Sequence, residues 1–161
     1  MRTVVGIMGA GRDLDEAAYS LAYQLGAMVA ERGWVLLTGG SASGVMDAAS
    51  KGAHDAGGLV VGVLKGETAA EGSAFLDIAI RTGMGDARNV VNVLSSDVVI
   101  ALPGGSGTLS EVALGLKCGR TVIVLGWDPG DAMRASGPGK LREVATAEEA
   151  IALVDSLVSE M

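Results

Sequence analysis

Residues 97–111 read Asp97-Val-Val-Ile-Ala-Leu-Pro-Gly-Gly-Ser-Gly-Thr-Leu-Ser-Glu111. The aliphatic run predicts a buried strand over 97–102, and the glycines after it predict a tight turn. The residues beyond the turn have helical spacing and predict a helix over 108–119. A buried strand that passes through a short turn into a helix is typical of a parallel sheet covered by helices.

The same turn is suited to bind an anion. Backbone N–H groups in the first turn of a helix have no partner within the helix, and the helix dipole adds partial positive charge there. The glycines carry no side chain that would keep an anion away from the backbone. Glu111 lies one turn further on, where its spacing from Thr108 also fits a helix capping box. We therefore expect a phosphate-binding turn made by Gly104, Gly105, Ser106, Gly107 and Thr108.

Strand-like and helix-like segments alternate along the 161 residues. Their alternation predicts an α/β fold, with one Rossmann-like, doubly wound domain over residues 1–161, a mostly parallel sheet and helices on both faces. Residues 128–140 are rich in Gly, Pro and Asp and predict a surface loop. The other predicted strands lie at 3–8, 34–38, 59–64, 75–80, 121–125 and around Val144. Other helices are predicted from the cap at Asp13 to about residue 32, from 44 to about 56, and from Thr146 onward. Residues 83–88 lead into a further helix that ends near 95–96. Capping boxes are predicted at Asp13/Glu16 and Thr146/Glu149.

Composition excludes several classes of function. Hydrophobic residues make up 49% of the chain but aromatic residues only 3%, so the core is aliphatic. The single cysteine, Cys118, excludes an internal disulfide and favours the cytoplasm. The net charge of −7, without a basic cluster, disfavours nucleic acid, and no apolar run is long enough to span a membrane. One histidine and one distant cysteine predict no metal site.

Two further glycine-rich turns follow the first two predicted strands. The first, Gly9-Ala10-Gly11, is an incomplete dinucleotide fingerprint, because Leu14 occupies the third glycine position. The second, residues 39–46, lacks the Gly-Lys-Ser/Thr ending of a Walker A loop. Each could be a plain tight turn, but turns after parallel strands meet at one edge of the sheet and can share a ligand. The expected ligand contacts here are Gly9, Gly11, Arg12, Gly39, Gly40, Ser41 and Gly44.

A third element, Gly83-Met84-Gly85-Asp86-Ala87-Arg88-Asn89, places an arginine at the start of a helix. The helix dipole disfavours a cation at that position. An anionic ligand over the helix start would account for Arg88. The alternative is a surface ion pair between Arg88 and Asp86 or another nearby acidic residue. We include Met84 and Arg88 among the candidate site residues.

These motifs together resemble the Lonely Guy superfamily, whose members have also been described as lysine-decarboxylase-like. The string Pro103-Gly-Gly-Ser-Gly-Thr-Leu-Ser-Glu111 matches that family's Pro-Gly-Gly-x-Gly-Thr-x-x-Glu signature, and residues 39–46 are similar to its Gly-Gly-Gly-x-x-Gly-Leu-Met segment. The family includes cytokinin riboside 5′-monophosphate phosphoribohydrolases. The resemblance implies that Arg88 and Glu111 occupy the positions of the catalytic arginine and glutamate.

The chain departs from the enzyme pattern at three positions. Asn89 replaces a lysine, Ser110 replaces a glutamate, and Met84 is displaced by one residue. In these respects the chain looks more like the sister branch of molybdenum cofactor carrier proteins, which bind a phosphorylated pterin. The favoured prediction is therefore a carrier-type protein that binds molybdenum cofactor or a nucleoside monophosphate as its ligand and requires no other cofactor. The alternative is a nucleoside 5′-monophosphate phosphoribohydrolase that uses Arg88 and Glu111.

Two predicted helices carry more apolar residues than one face of a sheet requires. An all-round apolar helix in a small domain indicates burial against another subunit. We therefore expect a homodimer or homotetramer that buries part of the set Val90, Val91, Val93, Leu94, Leu109, Val112, Leu114 and Leu116.

Overall fold

One sheet of seven strands organises the computed structural model, which describes residues 1–12 and 14–160. The strands are β1 Val4–Met8, β2 Val35–Thr38, β3 Leu59–Leu64, β4 Ile78–Arg81, β5 Val98–Ala101, β6 Thr121–Leu125 and β7 Leu141–Val144. They lie in the order β4-β3-β2-β1-β5-β6-β7, and every neighbouring pair is parallel. Because all strands run the same way, their carboxyl ends meet at one edge of the sheet.

Helices cover both faces of this sheet. They are α1 Glu16–Glu31, α2 Gly44–Asp55, α3 Asn89–Leu94, α4 Ser106–Lys117, α5 Asp131–Ser136 and α6 Ala147–Ser159, and a 3₁₀ turn, Gly85–Arg88, precedes α3. The helices α1, α2 and α6 pack with Val98 and Ile100 of β5, whereas α3 and α4 pack with Val99 and Ala101 on the opposite face. This arrangement confirms the predicted Rossmann-like α/β fold.

Several predicted boundaries change in the structure. The N-cap of α1 is Asp15, whose carboxylate accepts from Ala18 N at 2.7 Å; the predicted cap, Asp13, lies outside the described residues. The predicted loop over 128–140 contains α5, so that prediction was incomplete. Helix α4 begins at Ser106 with Gly105 as its N-cap, so the capping box predicted for Thr108 and Glu111 does not form. The cap at Thr146 is confirmed, since its hydroxyl accepts from Glu149 N at 3.2 Å.

The sheet order creates a crevice beside β1. Strand β1 lies between β2 and β5, so the chain builds the sheet first to one side of β1 and then to the other. Folds of this kind bind ligands at the carboxyl ends of the strands where the strand order reverses. Backbone hydrogen bonds hold the three nearby turns together. Ala10 N donates to Pro103 O at 3.1 Å, and Val45 N donates to Ala10 O at 2.8 Å. The sheet thus brings the turns after β1, β2 and β5 to one place.

The apolar surface of α3 and α4 is only partly used within the chain. Val93, Val112 and Leu116 pack in the core against the sheet. Leu94 and Leu109 instead have 51% and 37% of their surface exposed.

Within the described residues, no helix combines the length and apolarity needed to cross a membrane.

Candidate functional site

A half-open cleft of about 1030 Å³ lies at the carboxyl edge of the sheet, over the crevice between β1 and β5. Its wall combines the glycine turns, the 3₁₀ turn, the first turns of α4 and part of the β3–β4 loop. The structure brings most of the predicted site residues into this wall, namely Gly9, Gly11, Arg12, Gly39, Ser41, Arg88, Gly105, Ser106, Gly107, Thr108 and Glu111.

Four other predicted contacts are not part of the wall. Gly40 and Gly44 have positive φ angles of 74° and 61°, which favour glycine in a turn whatever lies nearby. A Cβ on Gly104 would come within 2.7 Å of Thr108 Cβ and 3.0 Å of Ala10 N, so this glycine serves the packing of the turn. Met84 is exposed at the start of the 3₁₀ turn. These residues shape the turns without lining the cleft.

Gly105 and Gly107 differ from these structural glycines. A Cβ on either would meet no protein atom within 4 Å, and neither has a left-handed backbone. Neither packing nor conformation therefore requires glycine, and both residues line the cleft. Gly105 is the N-cap of α4 and supplies no side-chain cap, so the first N–H groups of the helix gain no acceptor from it. The cleft therefore meets an uncapped, unobstructed helix start.

Arg88 is a buried cation in the cleft wall, with only 4% of its surface exposed. Its Nε and Nη1 atoms have no hydrogen-bond partner among the described residues. The alternative of a surface ion pair for Arg88 is wrong, because the side chain is buried and Asp86 pairs with Lys65. Burial lowers the pKa of Arg88, and the neighbouring charges of Glu111 and Asp86 oppose that change. The wall thus contains a guanidinium that no ion pair within the described chain neutralises.

Gly39 makes room for that guanidinium. A Cβ at position 39 would overlap Nη1 of Arg88, and it would lie 2.8 Å from Arg88 Cζ and 2.6 Å from Met46 Sδ. This explains why β2 is followed by glycine without requiring a ligand at Gly39 itself. The sequence indicated the turn but not the arginine that lies across it.

Glu111 extends from α4 into the cleft wall and has only 7% of its surface exposed. Asn92 Nδ2 of α3 donates a hydrogen bond to Glu111 Oε1 at 2.8 Å. Burial raises the pKa of Glu111 to about 7, although the Asn92 hydrogen bond and the charges of Arg88 and Lys65 act in the opposite direction. A carboxyl group in this state is present in both forms at neutral pH and can accept or donate a proton.

Two of the three positions that differ from the Lonely Guy pattern, Asn89 and Ser110, are in direct contact. Asn89 Nδ2 donates to Ser110 Oγ at 2.9 Å, and Ser110 Oγ donates to Gly107 O at 2.6 Å. Both residues line the cleft, so an uncharged hydrogen-bonded pair joins the start of α3 to the first turn of α4.

The β3–β4 loop supplies wall residues that the sequence analysis missed, because it assigned no motif to the residues between the strands predicted at 59–64 and 75–80. Its contribution is Lys65, Gly66, Thr68, Ala70 and Glu71. Two backbone hydrogen bonds attach this loop to the turn after β2: Ala42 N donates to Glu71 O at 3.0 Å, and Ser73 N donates to Gly40 O at 2.8 Å. Contiguous polar residues after a buried strand were the available signal.

The fold and this cleft define a protein of the Lonely Guy-like superfamily, near its molybdenum cofactor carrier branch. A model of the SLOG cluster4 family matches residues 2–154, and the chain belongs to that family. Among curated relatives, a cytokinin riboside 5′-monophosphate phosphoribohydrolase of Mycobacterium tuberculosis is 32% identical over 150 residues, which cover 85% of this chain and 80% of that protein.

Two solved structures are more similar than that enzyme. A molybdenum cofactor binding protein from the phototrophic bacterium Rippkaea orientalis superposes with a TM-score of 0.94 and 44% identity, covering 98% of each chain. The molybdenum cofactor carrier protein of Chlamydomonas reinhardtii gives a TM-score of 0.92 and 41% identity, covering 99% of each chain. The recognition of the superfamily and of its carrier-like branch from sequence motifs is therefore confirmed.

Proposed function

We propose that this protein is a carrier-type binding protein for a small phosphorylated heterocycle, of the molybdenum cofactor or nucleoside monophosphate kind. The observation that carries the proposal is the buried, unneutralised Arg88 in the same wall as the glycine-lined start of α4. The similarity to two molybdenum cofactor proteins over nearly their whole length supports it. In this proposal residues 1–161 form one phosphate-binding domain that works in the cytoplasm.

The phosphate group would bind at the start of α4. Uncapped N–H groups and the helix dipole attract an anion there, and the missing side chains of Gly105 and Gly107 leave space for its oxygens. The hydroxyl groups of Ser106 and Thr108 lie in the same wall and can donate further hydrogen bonds.

Arg88 supplies the second reason for an anionic ligand. Its Nε and Nη1 atoms are buried without a hydrogen-bond partner among the described residues, and burial of an unpaired polar atom costs roughly 1–3 kcal/mol of folding free energy. A ligand phosphate in the cleft offsets part of that cost by placing negative charge near the guanidinium. The flat ring of the ligand would lie between the glycine turns. The volume of about 1030 Å³ is at the upper end of the range for small-molecule sites and is sufficient for a ligand of this size.

The alternative function is a nucleoside 5′-monophosphate phosphoribohydrolase. The placement of Arg88 and Glu111 in one cleft favours it, as does the pKa of about 7 for Glu111, which suits an acid or base. In that function Arg88 anchors the substrate, and Glu111 stabilises the oxocarbenium-like ribose or acts as nucleophile or base. The neutral Asn89–Ser110 pair favours binding without turnover, because it provides no fixed charge to stabilise a transition state.

One experiment separates the two functions. The protein is incubated with AMP and other nucleoside monophosphates, free base and ribose 5-phosphate are assayed, and thermal stabilisation is measured in parallel. Stabilisation without release supports the carrier, whereas release that disappears in Glu111→Gln establishes the hydrolase.

Two arginine variants test where the nucleotide binds. Arg88→Ala should reduce nucleotide binding in either function. Arg120→Ala is the matched control, because Arg120 also has a buried Nε without a partner among the described residues but binds Leu94 O away from the cleft. Equal losses in the two variants, or unchanged binding in Arg88→Ala, would contradict the proposed site.

A further inference from the structure

Asn92 is a buried polar residue between two valines of α3. It stands between Val91 and Val93 of α3 and is completely inaccessible to solvent. Its Nδ2 donates to Glu111 Oε1 at 2.8 Å, whereas its Oδ1 is buried without a hydrogen-bond partner among the described residues. Burial of an amide is unfavourable unless its polar atoms are paired, so the bond to Glu111 is the compensation that this side chain receives.

That hydrogen bond has two consequences for Glu111. It holds Oε1 toward α3 and thereby fixes the orientation of the carboxyl group. A donor to a carboxylate also favours its charged form, which opposes the effect of burial. Since Glu111 lines the cleft, both its orientation and its charge bear on what binds there.

We propose that Asn92 is a positioning residue of the cleft, which orients Glu111 through Oε1 and stabilises the charged form of its carboxyl group, so that removal of Asn92 changes how ligand binding depends on pH. Its role toward a ligand rests on the proposed function, but its effect on the titration of Glu111 does not.

Other charges also face Glu111. Arg88 from the 3₁₀ turn and Lys65 from the end of β3 both lower its pKa, and Lys65 is itself paired with Asp86. Burial outweighs them and raises the pKa to about 7. Removal of the Asn92 donor takes away one of the opposing effects, so the pKa of Glu111 must rise further.

The test is a carboxyl-carbon NMR titration of Glu111, with its resonance assigned from Glu111→Gln. In Asn92→Leu the midpoint should rise by about one pH unit or more. Ser96→Ala is the matched control: Ser96 Oγ donates to Asn92 O at 2.8 Å within the same buried region but does not bond Glu111, so its midpoint should equal that of wild type. An unchanged midpoint in folded Asn92→Leu overturns the proposal.

Asn92→Asp provides a second route in case the leucine variant does not fold. It keeps the shape of the side chain but replaces the amide donor with an acidic group, so the two carboxyl groups share a proton and the upper midpoint of the pair should lie above the Glu111 midpoint of wild type. An upper midpoint equal to that of wild type overturns the proposal. AMP affinity is then measured against pH. Asn92→Leu should change the pH dependence of AMP affinity when Glu111 is present but not when it is combined with Glu111→Gln. If no variant or wild type binds any nucleotide or inorganic phosphate while the midpoint shifts as expected, the proposed function fails and the effect of Asn92 on Glu111 stands.

Discussion

Gly107→Ala is expected to weaken ligand binding in the cleft without lowering the stability of the fold. Gly107 is the second residue of α4, and a Cβ there would meet no protein atom within 4 Å. Alanine is favoured over glycine in a helix interior by up to about 1 kcal/mol, and less at the first turn. For a chain of this length about 1 kcal/mol corresponds to roughly 2–4 °C in Tm. We therefore expect an unchanged or slightly raised Tm.

Ligand affinity should change in the opposite direction. The added methyl group stands in the space through which an anion would approach the first N–H groups of α4. Loss of about 1.4 kcal/mol of binding free energy is a tenfold weaker Kd, and we expect at least that loss for AMP or inorganic phosphate. Thermal unfolding and isothermal titration calorimetry on the same samples measure both quantities.

Gly104→Ala is the matched control. Its Cβ would lie 2.7 Å from Thr108 Cβ, so we expect a loss of about 1–3 kcal/mol in folding free energy. If Gly107→Ala binds AMP and phosphate as tightly as wild type, the open space beside Gly107 is not used by a ligand and the reasoning is refuted.

Three further outcomes are expected. Gly39→Ala should displace the Arg88 guanidinium, because a Cβ at position 39 would lie 2.8 Å from Arg88 Cζ. Calorimetry should then find weaker AMP binding and a lower unfolding free energy. Wild-type values for both quantities would contradict this prediction. The pKa of Glu111 is raised from 4.5 to about 7 in the folded protein, so its neutral form stabilises the fold at low pH. Between pH 4.5 and 7 the wild type should therefore lose about 3 kcal/mol of unfolding free energy relative to Glu111→Gln. Parallel pH profiles for the two proteins would show that Glu111 titrates normally. Sedimentation should find a dimer or tetramer that the double variant Leu94→Glu/Leu109→Glu dissociates, and a monomeric wild type at micromolar concentration would contradict the predicted interface.

The fold was predictable from the sequence because its information is local. The aliphatic run of β5 and the glycine turn after it determine a strand-to-helix passage, and the same pattern recurs after β1 and β2. Boundaries were less predictable where several residues could cap a helix. The N-cap of α1 is Asp15, for example, whose backbone is extended at φ −71° and ψ 172° and whose carboxylate accepts from Ala18 N.

The candidate site was predictable only in part, because it also depends on contacts between residues that are distant in the sequence. Arg88 and Glu111 were identified from motif spacing, but no local pattern shows that Gly39 is small in order to admit Arg88. Asn92 was missed for a similar reason, since its partner lies on another helix. The one sequence signal was the position of Asn92 among valines, which indicates that its amide hydrogen-bonds to another buried polar group.

The central claim is that the cleft binds an anion between the start of α4 and Arg88, and a crystal structure of the protein with AMP tests it most directly. We expect the phosphate oxygens within hydrogen-bond distance of the backbone N–H groups of residues 105–107, with the phosphate close to the Arg88 guanidinium. A cleft that stays empty at saturating AMP, or a nucleotide bound elsewhere on the protein, would contradict the account.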